Sequence, residues 1–183
     1  MKLIIVRHGE TIENREGVIQ GHLHGTLSQL GKTQAKNIAK VLKNEKIDFI
    51  YSSDLTRAAD TAKEIAKPHS HISIIFTKEL RERYLGKFQG RRKSELGLKK
   101  DESLVKFLLT SSEKEMEPLE EMLQRAKKFL KKTLNKHKNN TVLFVTHNGF
   151  AKALICAITN KSANEIPKLN NLENTEAQFY EVN

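Results

Sequence analysis

The sequence predicts a three-layer αβα fold with a mostly parallel central sheet, and three observations carry that expectation. Short apolar runs of the kind that form buried strands recur at residues 3–6, 47–51, 72–76 and 141–146. Segments with helical periodicity lie between or after them, at 31–42, 55–66, 118 to about 137, and 150–158. Strand and helix therefore alternate, the pattern of a parallel sheet covered on both faces. At 183 residues the chain suits one domain with one sizeable core, so residues 1–183 are read as a single domain.

The run Leu3, Ile4, Ile5, Val6 opens the sheet and leaves it through Gly9, which puts Arg7 and His8 at the carboxyl end of a strand. Ligands bind at that end in open α/β sheets. The helix at 31–42 shows Ala35, Ile38, Ala39 and Leu42 on one face, with Ser28 available to cap it. After the strand at 47–51, Ser52, Ser53 and Asp54 offer capping oxygens to the helix at 55–66. Pro68 and a polar loop precede the strand at 72–76. Residues 80–90, LRERYLGKFQG, are charged, aromatic and punctuated by glycine, and read as a functional loop rather than as core. A short helix is expected at 101–109 and a polar connection at 110–117. In the long helix that follows, Arg125, Lys127, Lys128, Lys131, Lys132, Lys136 and Lys138 interleave with Leu119, Met122, Leu123, Ala126, Leu130 and Leu134. The run TVLFVT at 141–146 is the clearest strand and ends at His147, Asn148 and Gly149; residues 177–182 look like an antiparallel edge strand.

Composition narrows the function classes. With 38% apolar and 30% charged residues, no apolar tract long enough to span a bilayer and no leader-like start, the sequence points to a soluble protein without membrane contact. Cys156 is the only cysteine, so a reducing, cytoplasmic setting is expected. A net charge of +10 raises nucleic acid as a partner. The basic residues of the long helix read instead as a solvated face, and zinc spacing, helix-turn-helix signals and aromatic RNA-binding strands are missing from the sequence. His22 with His24, and His69 with His71, lack a carboxylate or cysteine ligand set, so they read as surface-loop histidines and no metal site is expected.

Two strands end in a histidine followed within two residues by a glycine, at His8 and at His147. If those strands are parallel neighbours, the two imidazoles meet at one sheet edge, and Arg57 joins them from the first turn of its helix. Arg7, Arg57, His8 and His147 then form a compact positive pocket suited to a phosphoryl group, whose oxygens guanidinium forks match in pairs.

Arg7-His8-Gly9-Glu10-Thr11 with Asn14, Gln20-Gly21, the stretch YSSDLTRAADTA, the LRERYLG loop and the late VTHNG together resemble the histidine phosphatase superfamily, the phosphoglycerate-mutase-like proteins. The similarity runs from Met1 to about Leu154, with the motifs in the family's order. It implies that His8 is the nucleophile, neutral at the attacking nitrogen, with the other nitrogen's proton held by a backbone carbonyl or similar acceptor. It implies that Arg7, Arg57 and His147 bind the phosphate, with Asn14, Gln20 and Gly21 as further contacts. Glu82 falls at the general acid's position, with Glu79 and Glu10 as rival candidates. His24 stands where many relatives have an acidic residue. Asn148 stands where glycine is common, so its side chain either touches the phosphate or only shapes the turn.

The resemblance leaves three readings. The first is a metal-independent phosphomonoester hydrolase acting on small sugar phosphates or phospho-acids, with no cofactor. The second is a phosphoglycerate mutase primed by 2,3-bisphosphoglycerate, and the third is a non-catalytic module that binds phosphorylated ligands. Residues 91–117 look too short to seal the pocket, and a wetter pocket favours hydrolysis. Arg83, Lys87, Arg91, Arg92 and Lys93 are expected around the mouth, either to receive a second anionic group or as a solvated basic face.

Overall fold

The structure is a computed structural model and describes residues 1–98, 104, 107, 108 and 114–182. Its sheet has five strands, β1 (Lys2–Arg7), β2 (Phe49–Ser53), β3 (Ile74–Thr77), β4 (Thr141–Thr146) and β5 (Ala177–Glu181), in the order β3-β2-β4-β1-β5. β1 runs parallel to β4, β4 to β2, and β2 to β3, while β5 pairs antiparallel with β1 at the edge. Among the described residues the α-helices with defined bounds are α1 (Ile12–Arg15), α2 (Gln29–Leu42), α3 (Thr56–Ala66), α4 (Leu119–Lys136) and α5 (Asn148–Ile158). This is the αβα arrangement that the alternating pattern predicts.

Strand parity builds the three layers. Leu3 and Ile5 of β1 pack with Val142 and Phe144 against α4 and α5, whereas Ile4 and Val6 pack with Leu143 and Val145 against α2 and α3. Every one of these strand residues is buried, which is why the runs are continuously apolar. Phe129, outside the apolar stripe read from the sequence, is 2% exposed and packs at 5.1 Å from the Phe144 ring. Truncating it to alanine should cost roughly 3–5 kcal/mol.

Several local expectations change. Ser28 caps α2 as expected, its Oγ accepting from the Gly31 N–H at 3.0 Å. The polar residues before α3 do not cap it from the N-cap position, which Leu55 occupies. Asp54 is drawn away by Arg81, which donates to both its oxygens at 2.5 and 2.6 Å, and the backbone N–H of Leu55 instead reaches Ser53 Oγ at 3.3 Å. Within the loop at 80–90, Leu80, Leu85 and Phe88 are buried, so this loop is also core. Leu85 and Phe88 form a satellite cluster with Ile19, Leu108 and Met116. His69 is buried rather than a surface residue, because its Nε2–H donates at 3.1 Å to the carbonyl of Leu42 at the end of α2. Of the helix expected at 101–109, Leu104, Phe107 and Leu108 are helical, and the remainder, with residues 110–113 of the connection, lies outside the described residues. No helix among the described residues is long and apolar enough to cross a membrane.

Candidate active site

The register of the sheet decides what meets at its carboxyl edge. Arg7 of β1 stands opposite Thr146 of β4, so His8 and His147 emerge side by side; Ser52 of β2 stands opposite Val145, which puts Ser53 level with Thr146, one residue before His147. The His8 and His147 rings lie 5.1 Å apart, edge to face. A cavity of about 530 Å³ opens there, with Arg7, His8, Asn14, Gln20, Arg57 and Glu82 among its lining residues.

His8 is held in one tautomer. Its Nδ1–H donates to the Gly9 carbonyl at 2.8 Å, as the resemblance implies, which leaves the lone pair on Nε2. Arg57 Nε–H donates to that Nε2 at 3.2 Å. Burial pushes the His8 pKa well below the usual histidine range, and the charges of Arg57 and Arg7 push the same way. Gly9 permits the close fold beneath the ring, since a Cβ there would sit 2.6 Å from the Gly31 carbonyl oxygen at the start of α2.

Arg57 is 1% exposed, and burial lowers its pKa to about 10, so it stays charged at neutral pH. Its Nη2 donates to the Gly21 carbonyl at 2.9 Å, and Nη1 donates to the carbonyls of Leu23 and His24. The guanidinium thus fastens the loop after Gln20 to the sheet edge. Arg7 donates from Nη1 to the Leu172 carbonyl at 2.5 Å, while its buried Nε has no partner in the protein, which leaves an unused donor beside His8.

His147 Nε2 meets Ser53 Oγ at 2.9 Å, and its buried Nδ1 has no partner. Burial, then the charge of Arg57, depresses its pKa well below the usual range. With the Ser53 hydroxyl donating to Nε2, Nδ1–H becomes a second orphan donor in the site. Asn14 closes a capping box with Thr11, its Oδ1 accepting from the Thr11 N–H at 3.2 Å, and its amide NH₂ remains as a donor at the cavity wall. Gln20 reaches Thr11 Oγ1 through Nε2 at 2.9 Å, and its buried Oε1 is unpartnered. Gly21 contributes backbone to the cavity wall and to Arg57.

Glu82 sits at the N-terminus of α5 and completes the cap that His147 does not supply. Its Oε1 accepts from the N–H groups of Arg83 and Phe150 at 2.9 and 3.0 Å, and Oε2 accepts from Gly149 at 3.0 Å. A Cβ at residue 149 would lie 2.5 Å from Oε1, so this docking needs glycine there. N–H donors rather than an apolar pocket therefore surround the carboxylate. Of its rivals, Glu10 accepts from Ser28 at 2.6 Å and Glu79 pairs with Lys132 at 3.1 Å, and neither lines the cavity.

Asn148 lines the cavity, but its polar atoms turn to the segment 171–172. Nδ2 donates to Asn171 Oδ1 at 2.9 Å and Oδ1 accepts from the Leu172 N–H at 3.0 Å. Of the basic residues expected at the mouth, Arg83 and Lys93 line the cavity, whereas Arg91 and Arg92 pair with Glu95 and Glu16 on the surface. Lys87 is exposed. Leu104 and Leu108 also line the cavity, so part of the segment judged too short to seal it does reach it.

Sequence reasoning missed several supports. Arg125, read as part of a solvated face, turns inward: Nη1 donates to the carbonyls of Glu79 and Arg81, both at 2.9 Å, and Nη2 to that of Glu82 at 3.3 Å. It also pairs with Glu117 at 2.8 Å and lies 4.1 Å over the Phe150 ring. Helical phase could have revealed this, since residue 125 lies next to 122 and 126 on the apolar side. His22 is half-buried and donates from Nε2 to the Glu82 carbonyl at 2.8 Å. Residues 171–176 strap the motif from beyond the stretch of resemblance, with Asn174 Nδ2 donating to the His8 carbonyl at 2.9 Å. No local sequence signal marks that strap.

A sequence profile of the histidine phosphatase superfamily (branch 1) matches residues 3–183. The chain belongs to the histidine phosphatase superfamily. It is 36% identical over 167 residues to the metal-independent phosphoserine phosphatase of Arabidopsis thaliana, covering 88% of this chain and 70% of that protein. It is 35% identical over 158 residues to phosphoglycerate mutase-like protein 4 of the same plant, covering 84% and 69%. Among solved structures, the phosphoserine phosphatase of Entamoeba histolytica in complex with 3-phosphoglyceric acid superposes with a TM-score of 0.80 at 27% identity, covering 97% of this chain and 89% of that one.

Proposed function

We propose that the protein hydrolyses small phosphomonoesters through a phosphohistidine on His8, without a metal. The observation that carries this reading is the His8 imidazole: neutral, fixed by the Gly9 carbonyl, and lining a cavity with the unused Arg7 Nε–H, while the His147 ring, its buried Nδ1 unpartnered, stands 5.1 Å behind it. Phosphatase-named relatives and the family profile support it. Metal independence is supported by the name of the Arabidopsis relative and by the guanidinium charge around His8.

The phosphate enters between His8 and Arg57. Arg57 Nε–H, which rests on Nε2 in the free protein, passes to a phosphoryl oxygen, and the freed lone pair attacks phosphorus in line. Arg7 Nε, His147 Nδ1 and the Asn14 amide donate to the remaining oxygens, where charge builds in the transition state. Glu82 is the group for the leaving oxygen. Two donors fill its Oε1, but one fills Oε2, so Oε2 keeps a position for a proton. Protonated at Oε2, Glu82 gives that proton to the leaving alkoxide, and the carboxylate then takes one from the water that cleaves the phosphohistidine. Asn148 acts at one remove, by holding the strap whose Leu172 carbonyl orients Arg7.

The test is phosphate release, in the presence of chelator, from a panel including phosphoserine, 3-phosphoglycerate and fructose bisphosphates, alongside His8→Ala. Release that is lost in the variant supports the reading. Conversion of 3- to 2-phosphoglycerate with primer and no release would replace it with a mutase, and phosphate binding with no reaction would replace it with a binding module.

A further inference from the structure

Gln34 of α2 has no part in the chemistry above. It is half-buried and does not line the cavity, yet its Oε1 accepts from the Glu10 N–H at 2.8 Å. That N–H shares a peptide group with the Gly9 carbonyl, which accepts the His8 Nδ1–H at 2.8 Å. A trans peptide is planar, and its N–H and C=O point to opposite sides. Turning the Glu10 N–H toward Gln34 therefore turns the Gly9 oxygen toward His8. The start of α2 is packed for this reach. The Ser28 N–H donates to the Glu10 carbonyl at 2.9 Å, and a Cβ at Gly31 would lie 1.9 Å from that same carbonyl oxygen. Gln34 follows Gly31 by three residues and shares its face of the helix.

The two peptides that flank Gly9 are anchored differently. In the first, the His8 carbonyl accepts from Asn174 Nδ2 at 2.9 Å and the Gly9 N–H donates to Thr61 Oγ1 at 3.1 Å. In the second, among the described residues, the hydrogen bonds are the one from His8 itself and the one to Gln34. An imidazole that takes its orientation from a carbonyl cannot also fix that carbonyl, so the outside anchor is Gln34. A peptide turned over would present the Glu10 N–H to Nδ1. Nδ1 would then have to accept, and the proton would sit on Nε2, the nitrogen that must attack. Burial keeps the ring neutral at neutral pH, so the choice lies between two tautomers. We infer that Gln34 is a positioning residue, which fixes the Gly9–Glu10 peptide and through it the Nδ1–H tautomer of His8. Its effect on turnover rests on reading His8 as the nucleophile; its effect on the tautomer does not.

The experiment reads the tautomer directly, from long-range proton–nitrogen correlation spectra of histidine-labelled protein at about pH 8, with His8 assigned by the signals missing from His8→Asn. In the wild type and in Gln34→Glu, whose carboxylate offers an acceptor at the same reach, the Nδ1–H form should dominate. In Gln34→Met, which keeps the length and loses the acceptor, the Nε2–H form should become the major one. There kcat for p-nitrophenyl phosphate should fall about tenfold to a hundredfold with KM nearly unchanged. A tenfold loss corresponds to about nine-tenths of His8 in the unreactive form. A merely structural Gln34 would affect stability and leave the tautomer as it is. Nδ1–H still dominant in Gln34→Met therefore overturns the inference, as does a dominant Nε2–H form in Gln34→Glu or in the wild type. If circular dichroism shows Gln34→Met unfolded, Gln34→Leu takes its place. Unchanged turnover beside a shifted tautomer supports the positioning role and tells against His8 as nucleophile. If the wild type hydrolyses no ester, the hydrolase reading fails separately, and the spectra alone decide the inference.

Discussion

Arg57 Nε stands 3.2 Å from His8 Nε2, the nitrogen left unprotonated because Nδ1–H is bound to the Gly9 carbonyl. One contact thus joins the group that would attack phosphorus to a group that would receive its oxygens. Arg57 also lowers the His8 pKa and ties down the loop at Gly21, Leu23 and His24. Arg57→Ala should lower kcat/KM by about 10²- to 10³-fold, the usual effect of losing one transition-state donor. It should also move the His8 pKa upward, toward the ordinary histidine value, which NMR titration of the imidazole would detect.

Glu82→Gln separates leaving-group chemistry from phosphate binding. Alkyl phosphates should lose activity by about 10²- to 10⁴-fold, the usual range for a general acid, while p-nitrophenyl phosphate, whose leaving group needs no proton, should lose far less. An amide NH₂ set against the N–H groups of Arg83, Gly149 and Phe150 should also cost about 1–3 kcal/mol of stability, visible in urea unfolding. Equal losses for both esters would remove Glu82 from the acid's role.

The two buried histidines make stability depend on pH. Both His8 and His147 have folded pKa values well below 6.5, so between those values and about 6.5 the unfolded chain binds more protons than the folded one. Their contribution is therefore complete above pH 6.5 and is lost as pH falls toward their folded values. Chemical denaturation from pH 8 to 5 should show stability falling below about pH 6.5, and replacing both with glutamine should flatten that part of the curve.

Arg125→Met tests whether the Glu82 loop is braced from α4. It leaves the carbonyls of Glu79, Arg81 and Glu82 and the carboxylate of Glu117 without their shared donor. A loss of about 2–4 kcal/mol is expected, the range for breaking a partly buried hydrogen-bonded ion pair. Activity toward alkyl phosphates should fall more than activity toward p-nitrophenyl phosphate, because the loop carries Glu82.

The sequence made legible what depends on local period and on strand ends. Apolar runs mark β1, β2 and β4, and the edge they share brings His8, His147 and Arg57 together. Other features depend on tertiary partners. Arg81 takes Asp54 away from capping α3, and the burial of Leu85 and Phe88 depends on Met116 and Leu108, distant in sequence. For Asn148 the sequence leaves open a phosphate contact or a turn-shaping role, and the segment at 171–172, which binds both its polar atoms, decides for the second.

The central claim is that phosphorus is transferred to His8, and rapid quench followed by mass spectrometry of the peptide containing His8 tests it most directly. During turnover of a good substrate, the account requires an acid-labile phosphoryl group on that histidine, formed and lost at rates compatible with kcat and absent in His8→Asn. Turnover with no phosphoryl group on the peptide, or turnover that survives in His8→Asn, would contradict it.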